Sequence, residues 1–170
     1  PYFHSLSAAG FAATAISYGP ARMGFGLFVP AFKSSFSLSP ATVGSISSLG
    51  FAGFFIGLLI AQYLLNRRGP AAPVLTGLAA ATLGLGVVAL APNATVLAAG
   101  VFLAASSAGF AWTPFNDAVH RKIRDTDRPT ALSEISTGTS VGVMLAAAIA
   151  LGMVFTGLDW RICWGGFALL

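Results

Sequence analysis

Residues 69–116 read GPAAPVLTGLAAATLGLGVVALAPNATVLAAGVFLAASSAGFAWTPFN, without a single Asp, Glu, Lys or Arg. A helix rises 1.5 Å per residue and needs about 20 apolar residues to cross a ~30 Å hydrocarbon core, so this run is long enough for two spans. Pro92-Asn93 supplies the turn between them. Further uncharged runs occupy residues 1–21, 34–66 and 135–158. Together they predict five complete spans, near 8–32, 41–65, 71–91, 95–119 and 130–156. A sixth begins at Trp160-Arg161 and continues Ile-Cys-Trp-Gly-Gly-Phe-Ala-Leu-Leu to the last residue, about half a bilayer of helix. Because the chain also opens on Pro1 rather than Met, the expectation is a fragment of a longer membrane protein, truncated within helix 6. The first stretch lacks a basic leading region and runs on to spanning length, unlike a signal peptide.

Composition agrees. Of 170 residues, 56% are hydrophobic and 8% are charged, against about 25% charged in soluble domains. That excludes an ordinary soluble globule, and it excludes disorder, which requires few apolar residues. The single cysteine, Cys163, allows no internal disulfide and no Cys-rich metal site; no metal or cofactor is expected. The net charge is +4, but the bases are not gathered into a stripe on a polar domain, so the expected partner is the lipid bilayer and not nucleic acid. Arg67 and Arg68 follow the second span, and Arg121, Lys122, Arg124 and Arg128 follow the fourth, while only Lys33 and Arg161 lie on the other side. This bias predicts an integral, multi-pass protein with its N-terminus in the cytoplasm.

Five spans and a half divide as three plus three, the second triplet inverted relative to the first. In such repeats the ligand site favours corresponding helices interrupted by Gly or Pro. The first helix of each triplet qualifies, through Tyr18-Gly19-Pro20-Ala21-Arg22-Met23-Gly24-Phe25-Gly26 with Pro30, and through Trp112-Thr113-Pro114-Phe115-Asn116-Asp117. The tetrapeptide shared by Ala9-Gly10-Phe11-Ala12 and Ala108-Gly109-Phe110-Ala111 carries no weight in so Ala- and Gly-rich a chain. Gly53-x-x-x-Gly57 and Gly138-x-x-x-Gly142 read as close helix-packing motifs.

Arg22 is the sharpest single residue. It lies roughly 20 Å into a ~30 Å core, too deep for easy snorkelling. An arginine there costs at least ~2.5 kcal/mol unless it faces protein or water, and its planar fork suits a carboxylate or phosphate. Asp117 and Glu134, the acidic residues within the spans, sit about 13 Å away in depth if the helices stand upright. Arg22 is therefore expected to face a central cavity and to meet an anionic or polar solute, against the alternative of a structural bond to backbone carbonyls or to the absent half. Tyr18, Arg22 and Phe25 share a helical face, as do Ser106, Thr113 and Asn116; these six are the candidate solute-binding residues. At the cytoplasmic rim, carboxylates Asp117 and Glu134 among the bases Arg121 and Arg128 suggest a breakable gate.

These residues resemble the N-terminal half of a major facilitator superfamily (MFS) transporter, most nearly the bacterial branch with an arginine in its first helix. The resemblance is carried by Gly19-Pro-Ala-Arg22 with Pro30, Asn66-Arg67-Arg68-Gly69, Arg128-Pro-Thr-Ala-Leu and Asp159-Trp160-Arg161. The family loop Gly-x-x-x-Asp-Arg-x-Gly, which helps control closure against the other half, is matched at Arg67 and Gly69; Gln62 and Asn66 replace its first glycine and its aspartate. Asn66, Arg67 and Gly69 thus join the gating candidates, without the negative charge of the family aspartate. The antiporter signature of the fifth helix is only partly present, with Gly138 and Gly142 retained. The resemblance implies an all-α membrane protein with an MFS-like helical bundle, residues 1–170 being the N-terminal half of a twelve-helix secondary transporter. It implies alternating access, a small-molecule solute, a C-terminal half as partner, and residence in a bacterial cytoplasmic membrane.

Two other functions compete. Gly138-Thr139-Ser140-Val141-Gly142 fits a hydrolase nucleophile pattern, but that motif needs a strand-to-helix turn and a nearby base, and here it lies inside an apolar helical run. No enzyme activity is expected. A non-transporting structural or receptor-like membrane protein would need the packing motifs but no charge at membrane depth, and Arg22 argues for transport.

Overall fold

A computed structural model describes residues 2–170, and among them every regular element is helical. The chain enters as α1 (Tyr2–Ile16), passes into a π-helical segment (Ser17–Met23) and continues through α2 (Gly24–Leu27) and α3 (Val29–Phe36). There follow α4 (Pro40–Arg68), α5 (Ala71–Ala89), α6 (Ala94–Lys122), α7 (Arg128–Thr156) and α8 (Trp160–Ala168). By length and composition α4, α5, α6 and α7 can each cross a membrane. Their bounds match the second to fifth expected spans within three residues at each end.

The first expected span, near 8–32, is not one α-helix but a relay of short pieces. Pro20 stands inside the π segment, and at Phe28 the backbone leaves helical geometry (φ −104, ψ 8). Proline has no N–H, so Pro30 cannot bond the Gly26 carbonyl one turn earlier, and the helix breaks just before it.

The other ends are set by ordinary capping chemistry. Ser39 Oγ accepts the Thr42 N–H at 3.1 Å, Asn93 Oδ1 accepts that of Val96 at 3.0 Å, and Asp159 Oδ1 accepts that of Arg161 at 2.9 Å. α4 and α7 stop at Gly69 (φ +77) and Gly157 (φ +68), whose N–H groups bond back to Leu65 and Met153. Positive φ is tolerated there because glycine has no Cβ.

Glycines also decide which helices touch. A Cβ at Gly53 or Gly57 of α4 would strike the carbonyl of Phe102 or Ser106 on α6, and one at Gly109 would strike the backbone of Phe54, Gly57 and Leu58. The rising numbers on both sides show that α4 and α6 run parallel. α1 and α7 do the same. A Cβ at Gly138 would meet the Phe11 carbonyl, one at Gly142 the Ala15 carbonyl, and one at Gly19 the Gly142 backbone at 2.5 Å. The Thr14 hydroxyl adds a hydrogen bond to the Ile135 carbonyl at 2.8 Å. Both expected Gly-x-x-x-Gly motifs are therefore close-packing sites. The shared tetrapeptide is not an equivalent pair, since Gly10 faces the side chains of Ile135 and Phe115.

α5 runs antiparallel to α6, with Gly84 against the Ala104 backbone. Aromatic edges join α3 to α8: Phe32 meets Trp160 at 4.9 Å, and Phe28 meets Trp164 at 5.7 Å. Trp160 Nε1 donates to Ser35 Oγ at 2.8 Å, and Arg161 Nη1 donates to the Ala89 carbonyl at 3.0 Å. With these directions, Arg67, Arg68, Arg121, Lys122, Arg124 and Arg128 share one end of the bundle, while Lys33 and Arg161 lie toward the other. Exposed Phe55, Leu59, Leu151 and Phe155 lie on α4 and α7, an apolar surface suited to lipid or apolar protein and not to water.

Replacing Gly142 with Leu places atoms where the Ala15 carbonyl stands, so it should destabilise the protein by about 1–3 kcal/mol or more. Gly86→Ala, at a position with nothing within 4 Å of the added carbon, should be neutral or stabilising by up to ~1 kcal/mol. Thermal unfolding of the two variants in detergent separates these outcomes.

Candidate functional site

The π segment widens the helix by one residue in a single turn, and it carries both Tyr18 and Arg22. Arg22 is half-buried. Its guanidinium carbon lies 4.0 Å from the centre of the Phe54 ring, 5.4 Å from that of Tyr18 and 5.7 Å from that of Phe51. Tyr18 in turn meets Phe54 edge-on at 6.3 Å. Phe51 and Phe54 are three residues apart on α4, so they present adjacent rings to the cation. Such contacts are worth ~2 kcal/mol or more when desolvated. Among the described residues no carboxylate pairs with Arg22 and no carbonyl accepts from it, so its N–H fork has no partner.

Beside the guanidinium a groove of about 140 Å³ opens between the first helical path, α4 and α6. Ser47, Gly50 and Phe51 line it from α4, and Val101 and Ala105 from α6. Ser47 and Phe51 stand about 10 and 17 Å along a helix about 44 Å long, which places the groove within the depth of the span. Its surface is overwhelmingly apolar, with the guanidinium at one edge.

Tyr18, Arg22 and Phe25 come together as their spacing suggested, although Phe25 is largely core: it is 4% exposed and stacks on Phe32 at 5.6 Å. Ser106 stands apart from the groove, buried, with its hydroxyl donating to the Leu103 carbonyl of its own helix at 2.6 Å. Thr113 and Asn116 are half-buried and lie about 10 and 15 Å further along α6. They do not join Arg22 in this groove. Phe51, Phe54 and Ser47 were not singled out in the sequence; the signal for them was the aromatic cluster Phe51, Phe54 and Phe55 on the neighbouring span.

At the basic end, Asn66 Oδ1 accepts from Gln62 Nε2 at 3.2 Å, and the Arg67 guanidinium lies 5.5 Å from the centre of the Tyr63 ring. Gly69 ends α4. Arg121 Nε stands 2.8 Å from Asp117 Oδ2, one turn away. The geometry makes this a charge contact without a well-directed hydrogen bond, and that buried oxygen accepts none among the described residues. Arg128 is committed to the turn between α6 and α7. Its Nε donates to the Ile123 carbonyl at 3.1 Å, its Nη2 donates to the His120 carbonyl, and its Nη1 pairs with Asp125. Glu134 is exposed beside His4 and Ser7 of α1 and forms no ion pair among the described residues.

A family model described as Major Facilitator Superfamily matches residues 10–170. No curated protein sequence matches the chain.

Arg128→Ala should loosen the 123–127 turn. Hydrogen bonds to charged groups contribute about 1.5–3 kcal/mol, and solvent screening at this partly exposed side chain reduces the expected loss to about 1 kcal/mol. Arg128→Lys should not restore it, because an ammonium lacks the fork that reaches two carbonyls and a carboxylate at once. Limited proteolysis within residues 123–127 and the detergent melting temperature read this effect.

Proposed function

Because the chain belongs to the Major Facilitator Superfamily, a family of membrane transporters rather than enzymes, we propose that it serves secondary active transport of a small polar or anionic solute by alternating access. The solute meets the protein at Arg22. One observation carries this reading: the guanidinium is cushioned by three rings at membrane depth, edges an open groove and has no acceptor for its N–H fork among the described residues. A cation in that position is costly. Three rings offset part of the cost, and a carboxylate or other acceptor on a passing solute offsets more.

The bundle supports an inverted three-plus-three repeat. Gly53 and Gly57 of α4 contact Phe102 and Ser106 of α6, and Gly138 and Gly142 of α7 contact Phe11 and Ala15 of α1. In each case the second helix of one triplet clasps the first helix of the other. Gly109 and Gly19 complete the two crossings, and Gly19 falls one residue later in its series, the residue that a π turn inserts. On this reading the chain is the N-terminal half of a twelve-helix transporter, and the facing half covers the open side of the groove.

The six cations gathered at one end support a reading in which that end, and the N-terminus, face the cytoplasm; the bacterial membrane follows from the family resemblance alone. Solute leaving the groove passes Thr113 and Asn116 toward a rim formed by Asn66, Arg67, Gly69, Asp117, Arg121, Arg128 and Glu134. Within that rim Arg128 holds the turn in place, while the Asp117–Arg121 contact and the unpaired Glu134 are the charges available for closure against the facing half. Tyr18 and Phe25 shape the recognition point, and Ser106, bonded to its own helix, belongs to packing.

Uptake by the complete transporter tests the reading. Arg22→Gln should abolish flux, and Arg22→Lys, which keeps the charge but loses the planar fork, should lower it about tenfold, equivalent to about 1.4 kcal/mol. Full flux in a correctly inserted Arg22→Lys protein refutes the assignment.

A further inference from the structure

We propose that the solute bound at Arg22 is a compact monocarboxylate with an apolar, planar body. The inference rests on the reading that Arg22 meets the solute, and it adds the chemical class.

Charge sets the first limit. Among the described residues Arg22 is the only cation lining the groove, and the other eight Lys and Arg residues of the chain stand toward the ends of the bundle. A single negative charge is matched there. A dianion, such as a dicarboxylate or a phosphate ester, brings a second charge against a wall of this half that offers it no counter-charge among the described residues.

Hydrogen-bonding capacity sets the second. Apart from the guanidinium, the only side-chain hydroxyl, amide or charged group lining the groove among the described residues is the Ser47 hydroxyl. A sugar or polyol would surrender several bonds to water and recover few of them. A carboxylate concentrates its acceptors at one end, where the fork can take both oxygens together.

The shape of the walls sets the third. Phe54, 4.0 Å from the guanidinium carbon, occupies the space over the cation and leaves the N–H groups at its rim to reach outward. The groove beyond is bounded by Phe51, Val101 and Ala105 and holds about 140 Å³, less than the ~300–1,000 Å³ typical of drug-sized sites. A flat apolar body fits between an aromatic wall and the small side chains of α6, whereas a bulky or richly hydroxylated one does not.

Equilibrium binding of radiolabelled benzoate to the complete transporter in lipid nanodiscs tests the proposal, with benzamide, phthalate and inorganic phosphate as competitors. Saturable benzoate binding is expected. Benzamide, which lacks the charge, and phosphate should fail to compete, and phthalate should compete at least tenfold more weakly than unlabelled benzoate. Arg22→Gln should weaken benzoate binding at least tenfold. The competitor series is read on the unaltered protein, so it stands even if that variant folds poorly. Phthalate or phosphate binding more tightly than benzoate, and losing that binding in Arg22→Gln, overturns the monocarboxylate class and leaves the Arg22 reading intact. Benzoate binding equally to the unaltered protein and to folded Arg22→Gln overturns both. Absence of saturable benzoate binding to the unaltered protein also overturns the class, and the Arg22 reading is then decided by the uptake experiment.

Discussion

In lipid no hydrophobic force draws one helix to another, so a bundle depends on how closely backbones can approach. Here that approach is made at Gly53, Gly57 and Gly109 between α4 and α6, and at Gly19, Gly138 and Gly142 between α1 and α7. Each lets a carbonyl or main-chain segment stand where a side chain would otherwise be. The crossings also fix what lies between the pairs. Phe54 follows Gly53 directly on α4, and its carbonyl is itself a contact of Gly109. The ring that supports the Arg22 cation is thereby held to the same crossing that holds the helices together.

Much of this architecture could be read from the order of residues. Uncharged runs of spanning length, with Pro92-Asn93 as the turn between two of them, located four long helices, because charge placement and chain length are local properties. The Gly-x-x-x-Gly spacings found the tight crossings, because small residues four apart lie on one helix face. The division of the first span was only partly visible. Pro20 and Pro30 announced interruptions, but the π segment between Ser17 and Met23 packs against α6 and α7, contacts distant in sequence that no local pattern describes. The polar stripe on α6 shows the opposite failure. Ser106 has the spacing of a cavity residue, yet its hydroxyl bonds one turn back along its own helix. A serine satisfied by its own backbone and a serine turned toward solute share the same periodicity.

Arg22 shows how a charge can be kept at membrane depth without a charged partner. A neighbouring carboxylate would neutralise it, but it would also occupy the fork. Three aromatic rings lower the cost through their quadrupoles while taking none of its hydrogen-bond donors. Two of the five carboxylates are engaged elsewhere, Asp117 beside Arg121 and Asp125 on Arg128. At the basic end Arg121, Arg128 and Arg67 are engaged with carboxylates, carbonyls and one tyrosine ring, whereas Arg22 in the span keeps its donors unengaged among the described residues.

The clasp between α1 and α7 also bears on how the chain is made. Thr14 bonds to Ile135 across a separation of 121 residues, so the first helix leaves the ribosome long before its neighbour exists. Translation delivers the helices in an order that differs from the order of their adjacency, and a broken, arginine-bearing segment must wait in the bilayer or its insertion machinery meanwhile. The clasp can therefore close only once α7 has been made, and until then the first helix lacks the backbone that Gly19 and Thr14 pack against.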